Sequence, residues 1–154
     1  MGFTIRWASL EDWDEAMDMV WKTFLKFDAP DCTPEGQASF RAFITDANLK
    51  RAFEEGRYQM LTAQDEGRIV GVGSLRDRNH LSLLFVEESH HHQGIGRAMV
   101  EFLCDYLARE VGLRQLTLLA SPYAVEFYKK LGFTQVKPGS RPAGVPVVLM
   151  EKDF

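Results

Sequence analysis

The sequence predicts an α/β protein, an α+β mixed sheet with helices on both faces, in the order β-α-α-β-β-β-α-β-α-β-β. Apolar residues recur at helical spacing in several segments, two short runs are almost wholly apolar as in strands buried on both faces, and paired short runs around a turn indicate a hairpin. With 154 residues, of which 45% are hydrophobic and 26% charged, we expect one domain over residues 1–154.

The first elements are a strand and two helices. A short strand is predicted over Phe3–Ala8, and Ser9 with Asp12 three residues later is typical of a helix start. A second helix begins at Thr33-Pro34, with threonine as cap and proline in the first turn, and a short helical piece follows near Leu49–Glu54. The first helix presents one apolar face made of Trp13, Met17, Val20, Trp21 and Phe24.

The middle of the chain predicts a hairpin and a central strand. Tyr58–Ala63 and Ile69–Leu75 flank the turn residues Asp65-Glu66-Gly67, which favours antiparallel pairing. Leu81–Val86 is nearly all apolar and is typical of a strand covered on both faces. A long amphipathic helix is predicted from about Gly94 to Glu110.

The last elements alternate again. Leu116–Ala120 is predicted as a buried strand that leads into Ser121-Pro122, where a capping serine and a first-turn proline begin a helix to about Leu131. Phe133–Val136 and Val145–Met150 are predicted as two final strands, separated by a loop rich in glycine and proline.

Charge and cysteine content exclude several classes of protein. The 18 basic and 22 acidic residues give a net charge of −4, which argues against nucleic acid or an anionic membrane as the main partner. The N-terminus lacks the apolar stretch of a signal peptide. Cys32 and Cys104 show no metal or redox spacing, so we expect two free thiols in a cytoplasmic protein. The oligomeric state is left open, a homodimer included.

The segment from Leu83 to Ala98 carries the clearest chemical signal. A buried strand passes through a polar turn into a helix start with glycines, where unpaired N–H groups and the helix dipole favour phosphate. The P-loop pattern is absent, and a Rossmann pattern would need a third glycine at Met99. The run His90-His91-His92 does not predict a metal site, because three consecutive side chains do not converge easily on one ion and no ligand spacing accompanies them.

Two motifs together resemble the GNAT superfamily of N-acetyltransferases. Gly94-Ile95-Gly96-Arg97-Ala98, after the strand and turn, resembles the family's acetyl-CoA motif, Gln/Arg-x-x-Gly-x-Gly/Ala. The segment from Ser121 to Phe133 resembles the family's closing helix, with its Ala-x-x-Phe-Tyr-x-x-x-Gly-Phe pattern. The order of elements matches as well, so the resemblance covers essentially the whole chain and implies a GNAT-like acyl-CoA N-acyltransferase fold.

This sequence departs from the family pattern at two positions. His91 occupies the Gln/Arg position in the preferred register, although Gln93-x-x-Gly96-x-Ala98 also satisfies the pattern. Ser121 stands where many members have an asparagine that contacts pantetheine. The residues that the resemblance assigns to acetyl-CoA are Phe85, Val86, His91, His92, Gln93, Gly94, Ile95, Gly96, Arg97, Ala98, Ser121, Ala124, Phe127 and Tyr128.

The resemblance implies transfer of an acetyl group from acetyl-CoA to an unidentified amine, in a small molecule or a protein, by direct attack on the thioester. It suggests the backbone N–H of Val86 as donor to the thioester oxygen and Tyr128 as general acid for the departing thiolate. The general base is left open among Glu87, Glu88, His90 and His80, with Glu87 as the candidate named first. The alternative from another class is a non-catalytic acyl-CoA-binding module on the same fold.

Overall fold

The structure, a computed structural model, describes residues 2–154 and their side chains except that of Ala143. Its seven strands form one sheet in the order β1-β2-β3-β4-β5-β7-β6. All neighbouring strands are antiparallel apart from β4 and β5, which are parallel. The strands are β1 (Thr4–Trp7), β2 (Gln59–Asp65), β3 (Arg68–Arg76), β4 (His80–Val86), β5 (Gln115–Ala120), β6 (Thr134–Gln135) and β7 (Val148–Asp153).

Helices cover both faces of the sheet, as the sequence predicts. On one face, α1 packs on β3 and β4 with a core that includes Val20, Met60 and Leu83. On the other face, α4 packs on β2, β3 and β4 around Met99 and Leu103. The helices are α1 (Trp13–Phe27), α2 (Pro34–Ile44), α3 (Ala47–Glu54), α4 (Ile95–Tyr106) and α5 (Val125–Lys130). The mixed α/β prediction is therefore confirmed.

The predicted helix starts at the N-terminal end are confirmed in detail. Ser9 and Asp12 bond reciprocally, with the Ser9 N–H donating to the Asp12 carboxylate at 2.8 Å, ahead of α1. The Thr33 hydroxyl accepts from the Gly36 N–H at 3.0 Å, and Pro34 occupies the first turn of α2. Because these bonds involve neighbours in the chain, the sequence alone was sufficient to predict them.

Two predicted helix ends differ in the structure. The Ser121 hydroxyl makes no capping bond, and Pro122 begins a single 3-10 turn, so α5 starts only at Val125. The predicted long helix ends as α4 at Tyr106 and continues as one wide turn, in which the Gly112 N–H donates to the Leu107 carbonyl at 2.7 Å. Gly112 has φ +82°, which terminates the helix.

Candidate active site between two parting strands

The parallel strands β4 and β5 pair over only two positions and then separate. His80 lies opposite Thr117 and Leu81 opposite Leu118, and no later residue of β4 pairs with β5 within the described chain. Ser82 is an extra residue in β4, because Ser74 faces Leu83 while Leu75 faces Leu81. Such a bulge bends its strand and increases its twist. The opening therefore begins directly after the bulge.

A buried hydroxyl network holds this bulge. The Tyr58 hydroxyl lies 3.0 Å from the Ser82 Oγ and 2.6 Å from the Ser74 Oγ, and both Tyr58 and Ser74 are buried. The three residues come from β4, β3 and the segment before β2. The sequence gives no signal for this contact, since it depends on strand register.

The end of β4 turns its Val86 N–H toward the opening. The Glu87 N–H donates to the Val70 carbonyl at 2.8 Å, and Val86 lies opposite Gly71 in the same antiparallel pair of strands. Because bonded and non-bonded pairs alternate along an antiparallel ladder, the N–H and carbonyl of Val86 point away from β3, toward β5. This is the orientation that the oxyanion prediction requires.

The loop after β4 and the start of α4 expose a run of backbone N–H groups. The His91 N–H donates to the Glu88 carbonyl and the Ala98 N–H to the Gly94 carbonyl, but the N–H groups of residues 92–97 have no partner among the described residues. Gly94 has φ +81° at the N-cap of α4. The backbone N–H groups available to an anion are therefore those of residues 92–97. The predicted stretch from His91 to Ala98 is one residue longer at each end, but the N–H groups of His91 and Ala98 already donate to backbone carbonyls.

The His91 side chain is directed at the strand rather than at the exposed N–H groups. Its Nε2 donates to the Val86 carbonyl at 2.7 Å, and its ring packs against Phe27 with 5.0 Å between centroids. His91 therefore connects the end of β4, the loop and α1. The motif predicted a role near phosphate for this residue, and only the folded chain shows what its ring contacts.

A cavity of about 390 Å³ joins the end of β4 to the start of α4, and we call it the α4 cavity. Gly96 allows the Phe127 ring to lie close to the backbone at the start of α4, because a Cβ at this position would lie only 3.1 Å from that ring. Gln93, Ala98 and Ser121 do not line it. The predicted residues that do line it are Phe85, Val86, His91, His92, Gly94, Ile95, Gly96, Arg97, Ala124, Phe127 and Tyr128.

Tyr128 is buried in the wall of the α4 cavity, where its ring packs edge-on against Phe127 and Phe133. Its hydroxyl has no hydrogen-bond partner among the described residues. Every polar side-chain atom that is fully buried in this part of the chain has a partner, so the Tyr128 hydroxyl oxygen is not fully buried. The hydroxyl oxygen must therefore contact the cavity space. Burial, and then the nearby Asp28 carboxylate, raise the pKa of Tyr128 well above its usual range.

A second cavity, of about 340 Å³, adjoins the first, and we call it the aromatic cavity. Phe24, Phe40 and Phe43 reach it from α1 and α2, and Ser121 lines it from the end of β5. The two cavities share five lining residues, namely Leu84, Phe85, Tyr123, Ala124 and Tyr128. The aromatic residues of the first helices therefore do more than fill the core.

The carboxylates considered as general base are engaged elsewhere. Glu87 is bound by Arg68, with 2.6 Å between the guanidinium and a carboxylate oxygen, and Glu88 is paired with Lys26. Both glutamates line a separate surface cleft beside α1 rather than either cavity described above. Glu87, which the sequence analysis considered as general base, therefore lies outside the opening between β4 and β5.

The two histidines on the same list are also bound to neighbours. His90 lies in the α4 cavity with its Nε2 2.9 Å from the Asp65 carboxylate, and this hydrogen bond lowers the pKa of Asp65. His80 lines the aromatic cavity with its Nδ1 2.8 Å from the Thr117 hydroxyl. Burial and the charge of Arg76 lower the pKa of His80, which favours its neutral form.

Sequence reasoning missed the pair formed by Asp28 and Tyr123. The Tyr123 hydroxyl donates to the Asp28 carboxylate at 2.7 Å, although the two residues are 95 positions apart. Asp28 lines the aromatic cavity, and Tyr123 lines both cavities. No local motif marks either residue, so only tertiary structure brings them together.

Residues 2–154 contain no cluster of three or more histidine, cysteine or acidic side chains that could hold a metal ion. Within the same range, no helix has both the length and the apolar character needed to cross a membrane.

Comparisons with known proteins identify the family to which the chain belongs. The model of the acetyltransferase (GNAT) domain matches residues 28–154. The chain therefore belongs to the GNAT acetyltransferase family, which confirms the resemblance found in the sequence.

Part of the chain is similar to a named enzyme. It is 34% identical over 80 residues to glucosamine 6-phosphate N-acetyltransferase from Trypanosoma brucei brucei, a match that covers 46% of this chain and 54% of that protein. The match thus spans about half the length of that relative.

Solved structures with the same fold cover the whole chain. A GCN5-related N-acetyltransferase from Rhodopseudomonas palustris has a TM-score of 0.84 at 24% identity, over 100% of this chain and 97% of that one. PaiA N-acetyltransferase from Thermoplasma acidophilum, solved in complex with coenzyme A, has a TM-score of 0.81 at 18% identity, over 100% of both chains. YncA from Salmonella typhimurium, solved with acetyl-CoA, has a TM-score of 0.71 at 18% identity, over 99% of this chain and 94% of that one.

Proposed function

We propose that this protein is an acetyl-CoA-dependent N-acetyltransferase that moves the acetyl group directly from the thioester to an acceptor amine. The observation that carries the proposal is the opening between β4 and β5. There the Val86 N–H, the exposed N–H groups at the start of α4 and Tyr128 lie around the α4 cavity, which adjoins the aromatic cavity. A crevice at the carboxyl ends of parallel strands is a common ligand site in α/β proteins.

The start of α4 is suited to the pyrophosphate of acetyl-CoA. Its unpaired N–H groups and the positive end of the helix dipole attract an anion, and Gly94 and Gly96 leave the backbone accessible. Gln93, Ala98 and Ser121, also expected to contact the cofactor, would do so only from outside the α4 cavity. The volume of about 390 Å³ lies in the range of ordinary small-molecule sites.

The chemistry requires stabilisation of two developing charges. When a neutral amine attacks, the thioester oxygen becomes negative, and the Val86 N–H is directed where it could donate to that oxygen. The thiolate leaves with a negative charge. We assign the Tyr128 hydroxyl, in the wall of the α4 cavity, as the group that donates a proton to this thiolate. No covalent enzyme intermediate is needed.

The named relatives support this proposal and suggest acceptors to test. Coenzyme A and acetyl-CoA are bound by PaiA and YncA respectively, and the trypanosomal relative is named for glucosamine 6-phosphate. These are properties of those proteins, and each defines a compound for the assay.

The experiment combines binding with turnover. Calorimetry should show acetyl-CoA binding, and thiol release should follow when an amine panel that includes glucosamine 6-phosphate is added. Absence of acetyl-CoA binding would refute the assigned site. Acetyl-CoA binding without thiol release from any amine would instead identify the non-catalytic acyl-CoA-binding module.

We also propose a cytoplasmic location, on the basis of the two thiols. Cys32 is partly buried, Cys104 is buried, and both are free. Free thiols without a partner are typical of proteins in reducing compartments. Fractionation of cells that express a tagged chain would test the location.

A further inference from the structure

Asp28 lies at the end of α1 with its carboxylate in the aromatic cavity. Its backbone N–H donates to the Phe24 carbonyl at 2.9 Å, and its carboxylate accepts the Tyr123 hydroxyl at 2.7 Å. Backbone and side chain are therefore both anchored, so the carboxylate has a defined position in the cavity wall.

The charges around the aromatic cavity are separated along β4. Asp28 is the only carboxylate among the described residues that line it, and its partner Tyr123 lies with Phe85 where the two cavities meet, whereas Arg76 and His80 line the aromatic cavity alone. His80 and Phe85 lie five positions apart along β4, which at about 3.3 Å per residue is at most roughly 16 Å, because the bulge at Ser82 shortens the strand. A cationic group in this cavity is therefore attracted to the Asp28 end and repelled by Arg76.

The walls between these ends are mostly aromatic. Phe24 stacks on Phe40 with 4.1 Å between ring centroids, and Phe40 lies 5.9 Å from Phe85. Aromatic faces bind ammonium groups and flat apolar groups, so the cavity favours an amine attached to an apolar body.

Asp28 is also close to the proposed reaction centre. Its charge acts on Tyr128, and its hydrogen-bond partner Tyr123 lines both cavities together with Tyr128 and Phe85. An amine held by Asp28 would thus lie at the junction of the two cavities, where the thioester is expected.

Electrostatics give this carboxyl the character of a base near neutral pH. Burial, opposed by the Tyr123 hydrogen bond and reinforced by the charge of Asp31, raises the pKa of Asp28 to about 6. The other titratable groups facing it are Cys32, whose thiol donates to the Asp28 carbonyl, Tyr128, and Arg141, which donates to the Asp31 carbonyl. A base with such a pKa is ionised at pH 7 and can still accept a proton.

We propose that Asp28 binds the ammonium form of the acceptor amine in the aromatic cavity and removes its proton before attack on the thioester. The acceptors are therefore primary amines that are protonated in water and carry an apolar or aromatic body. This inference rests on the proposed N-acetyltransferase function and names its general base and substrate class.

The proton balance closes with the two groups already described. The Asp28 carboxylate takes one proton from R–NH₃⁺, and the freed lone pair forms the C–N bond to the thioester carbon. The C–S bond then breaks, Tyr128 gives its proton to the thiolate, and the phenolate takes the second proton from the amide nitrogen. Asp28 releases its proton to solvent. Once Asp28 is protonated, its charge no longer opposes ionisation of Tyr128, so base and acid act in sequence.

The decisive test compares Asp28→Asn with Asp31→Asn, which removes a neighbouring carboxylate of the same loop. Thiol release is measured at pH 7 with amines that carry an aromatic body and are protonated at that pH, such as benzylamine, and with the neutral amines aniline and hydroxylamine. We expect D28N to lose about 10²-fold or more in kcat/KM with protonated amines and little with neutral ones. D31N should keep both activities, and acetyl-CoA affinity should be unchanged in both variants.

Each outcome has a distinct meaning. Equal losses with protonated and neutral amines, or a parent protein that uses only neutral amines, would overturn the role of Asp28 and leave the acetyltransferase proposal standing. No thiol release from the parent with any amine would refute the proposed function, and this inference with it.

Tyr123→Phe provides an independent variant that keeps the carboxylate. The parent should lose activity with protonated amines as the pH falls through about 6, where Asp28 takes up a proton. Because the Tyr123 hydrogen bond lowers the pKa of Asp28, its removal should move this acid limb to higher pH. A limb at the same pH in the parent, Y123F and D28N would exclude Asp28 as the titrating base.

Discussion

At the scale of single residues, Tyr128 is a buried side chain whose hydroxyl oxygen is still accessible from a cavity. Its ring packs edge-on against Phe127 and Phe133, and Tyr128 lines both the α4 cavity and the aromatic cavity. Because its pKa is raised, the Tyr128 phenol is a weaker acid than usual, but it can still donate a proton to a thiolate that forms beside it. Proton donation depends only on the hydroxyl group, so a substitution that removes this group alone can test the role of Tyr128.

Tyr128→Phe should keep the fold and acetyl-CoA affinity while turnover falls. The substitution removes only the hydroxyl, which has no partner among the described residues, so no hydrogen bond within that part of the chain is broken. We expect a loss in kcat of about 10²-fold or more, measured as thiol release at saturating acetyl-CoA. Unchanged turnover would return Tyr128 to a packing role and leave solvent to protonate the thiolate.

His91 can be tested with two variants that separate its contacts. His91→Gln keeps a hydrogen-bond donor for the Val86 carbonyl, and His91→Phe keeps the ring against Phe27. If the hydrogen bond positions the end of β4, H91F should lower kcat/KM by about fivefold, which corresponds to about 1 kcal/mol for one hydrogen bond. H91Q should lose less. The reverse order would show that the ring contact matters more than the hydrogen bond.

At the scale of elements, the site depends on how three backbone segments end. The bulge at Ser82 bends β4 away from β5, the loop brings the chain to Gly94, and α4 begins with unpaired N–H groups. Side chains support this arrangement but do not form the anion site. Substitutions that restrict access to the backbone should therefore affect binding more than those that remove a polar side chain.

Gly96→Val should weaken acetyl-CoA binding by more than about tenfold, equivalent to about 1.4 kcal/mol. A Cβ at this position already approaches the Phe127 ring to 3.1 Å, and two more methyl groups would fill the space beside the N–H groups. Calorimetry gives the dissociation constant. Glu101→Val places the same side chain on an exposed position of α4, which controls for the effect of valine on the helix. Equal affinities in folded G96V and E101V would show that the anion site lies elsewhere.

At the scale of the whole molecule, one sheet separates two cores. Trp7 contacts Phe102 and Tyr106 on the α4 face, and Trp13 contacts Phe53 and Tyr58 on the α1 face. Because both cores share the strands β2, β3 and β4, neither can be lost without exposing the other side of the same sheet.

We therefore predict one cooperative unfolding transition that acetyl-CoA moves upward. Acetyl-CoA at 100 times its dissociation constant should raise the free energy of unfolding by about 2.7 kcal/mol. For a chain of this length, that corresponds to roughly 5–10 °C in Tm. Scanning calorimetry measures the shift. Trp7→Phe leaves Trp13 and Trp21 on the α1 face, and Trp13→Phe combined with Trp21→Phe leaves Trp7 on the α4 face, so fluorescence can follow the two faces separately.

Pantetheine, which lacks the pyrophosphate, is the matched control ligand and should give a smaller shift at the same concentration. Different midpoints for the two faces would contradict a single domain over residues 1–154. An equal shift with pantetheine would contradict a major contribution of the anion site at α4.

The sequence alone determined the features that depend on neighbours along the chain. Helix starts at Ser9 and Thr33, the strand before the glycines, and the two motifs around Gly94 and Tyr128 were all predicted, because capping, periodicity and motif spacing are local properties. The family resemblance then ordered these elements into one fold.

Only the tertiary structure decided which distant groups meet. The contact of Tyr123 with Asp28, the Tyr58 network at the Ser82 bulge and the ion pair between Glu87 and Arg68 join residues between 16 and 95 positions apart, from elements that the fold brings together. Strand register and helix packing set these distances, and no pattern in the chain specifies them one pair at a time. The candidate base, Asp28, therefore lies outside the motifs, directly after the last residue of α1.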